Sequence, residues 1–249
     1  MMRFLVPGVQ LNADVVSIPA DVCHHAFRVR RLRNGETFML NNGMGSSALA
    51  IIDDWTHGTG LARITEMVDI QTELHIDIVV CQALPKSAER LEQVLQHGTE
   101  LGAAAFLVFA GDRSVAKLEM QDKVNKRLER WNSIIRSSAE QSGRAVLPPI
   151  SWHSNLKAVI QKVQLPLLVL HEEADTPLRS VVKSVISSSQ GLALIVGPEG
   201  GLSPAEVASC RSNAGTAISL GPRILRTETA ALAAIAQLSY ALENEIDNH

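Results

Sequence analysis

Two polar loops in the last third of the sequence carry residues that could bind a ligand and act on it. The first runs from Gly197 to Glu206 and reads GPEGGLSPAE. Its three glycines let the backbone adopt positive φ and approach a ligand closely. Ser203 and Glu206 form the pattern of a capping box around Pro204, which predicts a helix start there. A glycine turn before a capped helix suits a carboxylate or another anion. A tight strand-to-helix turn is the alternative interpretation.

The second loop, Leu220–Ala230, places charged and hydroxyl side chains beside an apolar helix. It reads LGPRILRTETA, with two arginines, a glutamate and two threonines. Polar groups this dense beside a core are costly unless they meet partners, and a substrate or cofactor would supply them. Ordinary helix capping by Thr227 or Thr229 explains the same residues without a ligand.

Both loops follow short apolar segments that are typical of buried β-strands. From about residue 74, such segments alternate with segments of helical periodicity. The predicted strands are Ile76–Leu84, Ala105–Phe109, Leu167–Leu170, Leu192–Val196 and Ala217–Leu220, and the predicted helices are Lys86–Leu101, a long helix carrying Val124 and Ala139, and Thr229–Leu242. The alternation predicts an α/β fold with a parallel sheet covered on both faces. Both loops then lie at the carboxyl edge of the sheet, where α/β proteins bind ligands.

The first 70 or so residues show a different pattern, with short β-segments separated by turn residues. The predicted strands are Thr37–Leu40, Ala48–Ile52 and Gly60–Thr65. Several short strands at close spacing favour a small barrel. Gly43–Ala48 matches the dinucleotide fingerprint GxGxxA, but that fingerprint needs a helix to follow, and a strand follows here. We therefore expect a hairpin loop. The two patterns predict two domains, residues 1–70 and 71–249.

Charge argues against non-specific nucleic-acid binding by the chain as a whole, because the net charge is -3 at pH 7. Its distribution matters more. Arg28, Arg30, Arg31 and Arg33 fall close together and would repel one another unless an anion lies nearby. A solvated surface is the alternative.

The cysteines give no sign of a metal site. Cys23, Cys81 and Cys210 lie far apart, without a CxxC pair or a His/Cys cluster at ligand spacing. We expect reduced, mostly buried thiols in a cytoplasmic protein that uses no metal. The apolar segments fall far short of the roughly 20 residues of a membrane-spanning helix. The N-terminus does not resemble a signal peptide, and no membrane partner is expected.

Together, the two loops resemble the C-terminal signature of a known family. GPEGG-L-S-x-x-E followed by LGPRILRTETA is similar to the ribosomal RNA small subunit methyltransferase E family, the uridine-N3 methyltransferases of the SPOUT superfamily. Further matches cover nearly the whole chain: Glu100-Leu101-Gly102, Ala139-Glu140-Gln141-Ser142 with Arg144, Arg3-Phe4, and Val29-Arg30-Arg31. The resemblance implies a trefoil-knotted SPOUT domain preceded by a small PUA-like RNA-binding β-barrel, the cofactor S-adenosyl-L-methionine and a homodimer. The implied substrate is N3 of uridine 1498 (usual bacterial numbering) in 16S ribosomal RNA, either naked or within the small ribosomal subunit.

The resemblance also implies roles for individual residues. The cofactor is expected between the loops at 170–172, 197–201 and 220–226, which follow successive strands. The predicted cofactor contacts are Leu170, His171, Glu172, Val196, Gly197, Glu199, Gly201, Leu220, Gly221, Ile224, Leu225 and Thr229. The predicted RNA contacts are Arg3, Arg28, Arg30, Arg31 and Arg33.

Methylation of uracil N3 needs a base for the N3 proton, donors for the charge on O2 and O4, and alignment of N3 with the methyl group. Arg226 and Arg144 are the candidate donors. Glu228, Glu199 and Glu140 are candidate bases or positioning groups, with a helix cap or a salt bridge as the alternative for each. Which of them is the base stays open.

The sequence departs from the family at two positions, because the family often has lysine where this chain has Arg90 and His97. These departures leave individual RNA contacts open. Two other functions compete with methyl transfer. A non-catalytic RNA-binding or ribosome-assembly protein on a SPOUT scaffold is disfavoured by the intact glycine loop. A nucleotide-binding α/β enzyme unrelated to RNA is disfavoured by the arginine-rich segment.

Overall fold

The computed structural model describes residues 1–29, 31–56, 59–116, 120–182 and 191–246. The chain divides into two compact units: unit one comprises Met1–Glu73 and Arg136–Leu147, and unit two comprises Leu74–Ile135 and Pro148–His249. Unit one thus takes in a second stretch of sequence, and the predicted boundary after residue 70 stays a prediction. Arg30, a predicted RNA contact, lies outside the described residues.

Unit one is built on a five-stranded mixed sheet. Its strands are β1 (Arg3–Leu5), β2 (Val15–Ile18), β3 (Thr37–Asn41), β4 (Ser47–Thr56) and β5 (Thr59–Val68). They lie in the order β1-β3-β4-β5-β2, with β1 parallel to β3 and the other neighbours antiparallel. A short helix α1 (Ala20–His24) continues into the π-helical segment His25–Val29. Phe4, Ile18, Phe38, Leu40 and Ile52 belong to the core of this unit.

The hairpin predicted at Gly43–Ala48 is confirmed. Asn41 pairs with Ser47 across the antiparallel strands β3 and β4, so the residues between them close a hairpin. Gly43 and Gly45 have φ of 72° and 95°, which glycine adopts without a steric penalty. A strand follows the glycines, and the match to a dinucleotide fingerprint is therefore coincidental.

Unit two contains a six-stranded parallel sheet. Its strands are β6 (Asp77–Ala83), β7 (Ala105–Phe109), β8 (Ile150–His153), β9 (Leu167–Leu170), β10 (Gly191–Val196) and β11 (Thr216–Ile218), in the order β11-β9-β10-β6-β7-β8. Every neighbouring pair is parallel. The helices are α2 (Ala88–Glu100), α3 (Gln121–Ser142), α4 (Leu156–Lys162), α5 (Pro204–Ser212) and α6 (Thr227–Ile246). The C-terminal part of α3 belongs to unit one. The predicted α/β fold is confirmed, while β8 and α4 were not predicted.

Helices cover both faces of this sheet. A Cβ added at Gly98 of α2 would lie 3.0 Å from Phe106 on β7 and 3.5 Å from Ile235 on α6. The next residue on β7, Leu107, packs instead with Leu156 of α4 and Cys210 of α5. Successive side chains of a strand point to opposite faces, so α2 with α6 and α4 with α5 form the two outer layers.

Three further expectations from the sequence concern the cysteines, membrane-spanning helices and metal-binding groups. The three cysteines are free and buried, as predicted. Among the helices of the described ranges, none has the length and apolar character to cross a bilayer. A search of the same ranges finds no group of three or more His, Cys, Asp or Glu residues that could hold a metal ion.

Candidate active site

A cleft of about 1010 Å³ opens at the carboxyl edge of the parallel sheet in unit two. Residues 170–173 after β9, 196–199 after β10 and 218–227 after β11 form most of its walls. These three strands are neighbours and run in parallel, so the loops that follow them meet at one edge. Ligand pockets occupy roughly 300–1,000 Å³, so the cleft can hold a cofactor and leave room for part of a second substrate.

The cleft collects almost all the residues that were predicted to contact the cofactor. Thr229 is the exception and does not line it. The lining residues from that prediction are Leu170, His171, Glu172, Val196, Gly197, Glu199, Gly201, Leu220, Gly221, Ile224 and Leu225. The structure brings these residues together, and their contact with a cofactor stays a prediction.

The glycine loop after β10 is shaped by close backbone packing. A Cβ at Gly197 would lie 2.9 Å from the Leu202 nitrogen, which leaves no space for a side chain. Gly201 has a φ of 69°, a conformation that favours glycine. The predicted capping box is present: the Glu206 nitrogen donates to Ser203 Oγ over 3.1 Å, and the Ser203 nitrogen donates to Glu206 Oε2 over 2.8 Å.

Thr227 joins the two loops that the sequence singled out. Its hydroxyl donates to the Gly197 carbonyl over 2.6 Å and accepts a hydrogen bond from Gln82 Nε2 over 2.9 Å. Gln82 is buried at the end of β6. The side-chain amide nitrogen of Gln82 donates to two oxygens, Thr227 Oγ1 and the Ala83 carbonyl. Sequence reasoning missed Gln82, although a glutamine inside the apolar segment Ile76–Leu84 was a visible signal.

The loop after β7 also holds the glycine loop in place. Arg113 Nη1 donates to the Gly200 carbonyl over 2.9 Å, and the Asp112 nitrogen donates to Glu206 Oε1 over 3.1 Å. Ser203 Oγ donates to Asp112 Oδ2 over 2.5 Å. Sequence reasoning missed this loop as well.

Arg90, in the first turn of α2, lies between two of the predicted acidic groups. Its Nη1 donates to Glu199 Oε1 over 2.8 Å, and its Nε lies 3.8 Å from Glu228 Oε1. The backbone nitrogen of Lys86 donates to the same Glu199 carboxylate, at 3.1 Å from each oxygen. Glu228 is buried, and its Oε2 has no hydrogen-bond partner within the described residues. Glu228 does not line the cleft, whereas Arg90 and Glu199 do.

Positive charge predominates on the walls of the cleft. The charged lining residues are the arginines Arg90, Arg113, Arg211, Arg223 and Arg226 and the glutamates Glu172, Glu173 and Glu199. Arg226 is exposed, and in the described part of the chain it forms no ion pair. The alternative in which Arg226 merely pairs with Glu228 is therefore not the arrangement seen, because Arg90 is the ion-pair partner of Glu228.

Arg144 and Glu140 were also predicted to be catalytic, and both lie in unit one. Arg144 is only 3% exposed, and its guanidinium pairs with the Glu73 carboxylate, with Nε at 3.1 Å from Oε2. Glu140 Oε1 accepts a hydrogen bond from the Leu5 nitrogen over 3.2 Å and lies 3.5 Å from Arg136 Nε. Their catalytic role stays a prediction.

The predicted RNA contacts that the structure describes are surface residues of unit one. Arg28, Arg31 and Arg33 are exposed, and Arg31 has a φ of 59°, which is unusual for a residue with a side chain. The Arg3 guanidinium lies directly against Gly143, where a side chain would collide with it.

Comparison with known proteins agrees with this arrangement. The RNA methyltransferase domain family matches residues 72–239, and the RNA methyltransferase PUA domain family matches residues 18–55. The ribosomal RNA small subunit methyltransferase E of Mycobacterium bovis is 36% identical over 94% of this chain and 89% of its own. The ribosomal RNA small subunit methyltransferase E of Bacillus subtilis is 34% identical over 93% of this chain and 92% of its own. The crystal structure of a ribosomal RNA small subunit methyltransferase E from Neisseria gonorrhoeae, bound to S-adenosyl methionine, superposes with a TM-score of 0.85 at 29% identity, over 97% of this chain and 98% of that one.

These matches span both units of the chain. They confirm the predicted fold class, a SPOUT methyltransferase domain preceded by a PUA domain, whereas the trefoil knot stays a prediction. With one family matching most of the sequence and curated relatives above 30% identity over nearly their whole length, the chain belongs to the ribosomal RNA small subunit methyltransferase E family.

Proposed function

We propose that this protein transfers the methyl group of S-adenosyl-L-methionine to N3 of a uridine in 16S ribosomal RNA, at position 1498 in the usual bacterial numbering. The observation that carries the proposal is the arginine-lined cleft at the carboxyl edge of the sheet, in a chain of this family. Family membership supports an enzyme that methylates ribosomal RNA. The choice of uracil N3 rests on the sequence resemblance.

The residues of the cleft fit the cofactor. A Cβ added at Gly221 would meet nothing within 4 Å, and one at Gly201 would meet only Arg113 Nη1 at 4.0 Å, so both backbones border open space. A ligand can therefore approach peptide groups closely at these two points. Leu170, Val196 and Leu225 offer apolar surface for a purine ring. Glu172 and Glu173 offer carboxylates for hydroxyl and ammonium groups. When bound, the sulfonium supplies an activated methyl group, and the chemistry calls for no metal.

The charge of the cleft supports RNA as the second substrate. S-adenosyl-L-methionine is itself a net cation, since its sulfonium adds to a zwitterionic amino acid. The arginines of the cleft outnumber its glutamates, and the cofactor offers them only one carboxylate. Phosphates of a polynucleotide would meet them, because phosphate contacts supply most of the electrostatic affinity for nucleic acids.

Arg226 is the residue of the cleft best suited to the reacting base. Its guanidinium is exposed and lines the cleft, and it can donate several hydrogen bonds to one ligand. Loss of the N3 proton places negative charge on O2 and O4 of the uracil. A fixed cation aimed at one of these oxygens stabilises that charge and makes N3 a better nucleophile.

The test is mass mapping of 16S ribosomal RNA from cells that lack the protein. A methyl group should be missing from uridine 1498, and purified protein with S-adenosyl-L-methionine should restore it, either on naked RNA or on isolated small subunits. Full methylation in the deletion strain would refute the proposal. A subunit assembly defect without loss of methylation would favour the non-catalytic assembly protein instead.

A further inference from the structure

Arg90 connects the glycine loop of the cleft with the start of α6. It lies in the first turn of α2, and its two partners come from different loops, since Glu199 belongs to the glycine loop after β10 and Glu228 opens α6. Arg90 is 109 residues from Glu199 and 138 residues from Glu228 in the sequence. A single guanidinium therefore joins the glycine loop to the start of the last helix.

The two contacts of Arg90 are unequal. The distance of 2.8 Å between Nη1 and Glu199 Oε1 is that of a charge-assisted hydrogen bond. The distance of 3.8 Å between Nε and Glu228 Oε1 allows only electrostatic attraction. Glu199 also accepts from the Lys86 nitrogen, whereas Glu228 is 7% exposed and leaves Oε2 without a partner in the described ranges. A buried carboxylate with so few donors is costly for the folded state.

Within the described residues, the ion pair of Glu228 is with Arg90. Among the described elements, α2, β6 and β10 pack most extensively against α6. β10 has no charged residue, and the end of β6 that leads to the cleft carries the neutral Gln82. On α2, Glu89 is exposed, Glu92 pairs with Arg130, and His97 pairs with Glu100 at the far end. The helix start of α6 adds a partial positive charge, and Arg226 precedes it.

We propose that Arg90 is a positioning residue shared by Glu199 and Glu228, so that its hydrogen bond to Glu199 limits how closely it pairs with Glu228. While Glu199 holds Arg90, Oε2 of Glu228 has no hydrogen-bond partner within the described residues. When the Glu199 carboxylate is removed, the guanidinium can pair more closely with Glu228. The inference rests on the proposed function for the role of the cleft, but the sharing of Arg90 is a property of the chain itself.

The sharing can be tested without any ligand, in double-mutant cycles of urea unfolding. The Arg90–Glu228 coupling is measured with Arg90→Gln and Glu228→Gln, first in the wild-type chain and then in a Glu199→Gln background. Removal of Glu199 should strengthen this coupling, with at least a threefold larger effect on the unfolding constant. The Arg130–Glu92 pair, with Nε–Oε1 and Nη2–Oε2 distances of 2.5 and 2.7 Å, is the matched control and should be unaffected. An Arg90–Glu228 coupling that is equal in both backgrounds overturns the proposal.

The second readout separates positioning from mere stability. With cofactor and RNA saturating, we expect Arg90→Gln to lower the single-turnover rate by about 10-fold to 10²-fold, because Glu199 and Glu228 are no longer held in place. Arg90→Lys keeps the positive charge and should recover part of the rate, and melting temperatures separate lost stability from lost rate. A folded Arg90→Gln protein with the wild-type rate, or an equal loss in Arg90→Lys, contradicts the positioning role. Methyl transfer by the wild-type protein in this assay tests the proposed function separately. If the wild-type protein transfers no methyl group, the proposed function fails, and the unfolding cycles alone decide whether Arg90 is shared.

Discussion

Arg226 is the side chain on which the proposed chemistry depends most directly. It is exposed on the cleft and has no ion pair among the described residues, so its charge is available to a ligand. We expect Arg226→Ala to lower the single-turnover rate, with both substrates saturating, by about 10²–10³, as for removal of an oxyanion donor. Arg226→Lys should also lose most of the rate, because an ammonium lacks the planar fork of a guanidinium.

The control for this experiment is Arg130→Ala, which removes an exposed arginine of α3 that pairs with Glu92. It should keep the wild-type rate. The melting temperatures of Arg226→Ala and Arg226→Lys should stay close to that of the wild type, since Arg226 makes no ion pair with the described residues that its removal would break. A folded Arg226→Ala protein with near-normal turnover would remove Arg226 from the mechanism.

The raised pKa of the Cys210 thiol makes the stability of the protein depend on pH in the alkaline range. Burial, with a smaller effect of Glu206, raises the pKa of its thiol from 9.0 to about 11. The unfolded chain thus loses this proton near pH 9, while the folded chain keeps it until about pH 11. Stability should therefore fall as pH rises through this window, by about 1 kcal/mol at pH 10 from Cys210 alone. Burial also raises the pKa of Cys81 and adds to the fall.

Urea unfolding at pH 8, 9 and 10 measures this effect. Cys210→Ala should be less stable at pH 8, because it leaves a small cavity, but should lose less stability between pH 8 and 10 than the wild type. Parallel pH curves for the two proteins would show that the thiol does not contribute.

At the scale of elements, the hydroxyl of Thr227 fixes the start of α6 to the glycine loop after β10 and to the end of β6. Thr227→Val keeps the shape of the side chain but leaves the Gly197 carbonyl and the Gln82 amide without this partner. We expect a loss of about 1–3 kcal/mol in the free energy of unfolding, and weaker cofactor binding because the loop is no longer held. Thr227→Ser should retain most of both.

Thr99 provides a matched control, because it is also a buried threonine and its hydroxyl donates to the Leu95 carbonyl within α2. Thr99→Val should cost stability without changing cofactor affinity. If calorimetry finds the same cofactor affinity in Thr227→Val as in the wild type, the hydroxyl does not position the glycine loop.

The strands that the sequence predicted well are those with an uninterrupted apolar run of four or more residues. β7 and β9 have the predicted bounds, and β6 and β10 differ by one residue at their ends. β1, β2 and β8 were missed because they are three or four residues long and carry polar residues. So short a segment shows no periodicity that separates a strand from a loop.

The candidate site also has a part that the sequence predicted and a part that it did not. The lining loops were predictable because each follows its own strand, and parallel topology brings the strand ends together. The contacts that hold the loops were not predictable, since Arg90 and Glu199 are 109 residues apart and Gln82 and Thr227 are 145 apart. Only the three-dimensional packing shows which polar side chains from such distant elements meet.

For the whole molecule, the exposed arginines of unit one are proposed to bind RNA. Arg28→Gln with Arg31→Gln should weaken binding of a 16S RNA fragment and reduce the slope of log affinity against log salt by about 0.7–0.9 per lost phosphate contact. Cofactor affinity should not change, because these residues do not line the cleft. Arg130→Gln with Lys157→Gln removes the same charge from unit two and should have a smaller effect. An unchanged salt slope in the Arg28 and Arg31 variant would show that these arginines form only a solvated surface and do not contact RNA.

The proposed homodimer is a prediction about the same whole molecule, and the surface of unit two suggests where to test it. Ile224 is 82% exposed and lies in the cleft loop before α6, an unusual position for a large apolar side chain beside a ligand site. A second copy of the chain would remove it from water and close the cleft.

Light scattering at micromolar concentration should therefore give twice 26.9 kDa. Ile224→Asp should shift the dimer towards monomer, because a carboxylate would be buried without a partner. Met44→Asp, at a residue of unit one that is 76% exposed, is the control and should stay dimeric. A wild-type protein of 26.9 kDa at these concentrations would exclude the dimer, and a dimeric Ile224→Asp variant would place the interface elsewhere.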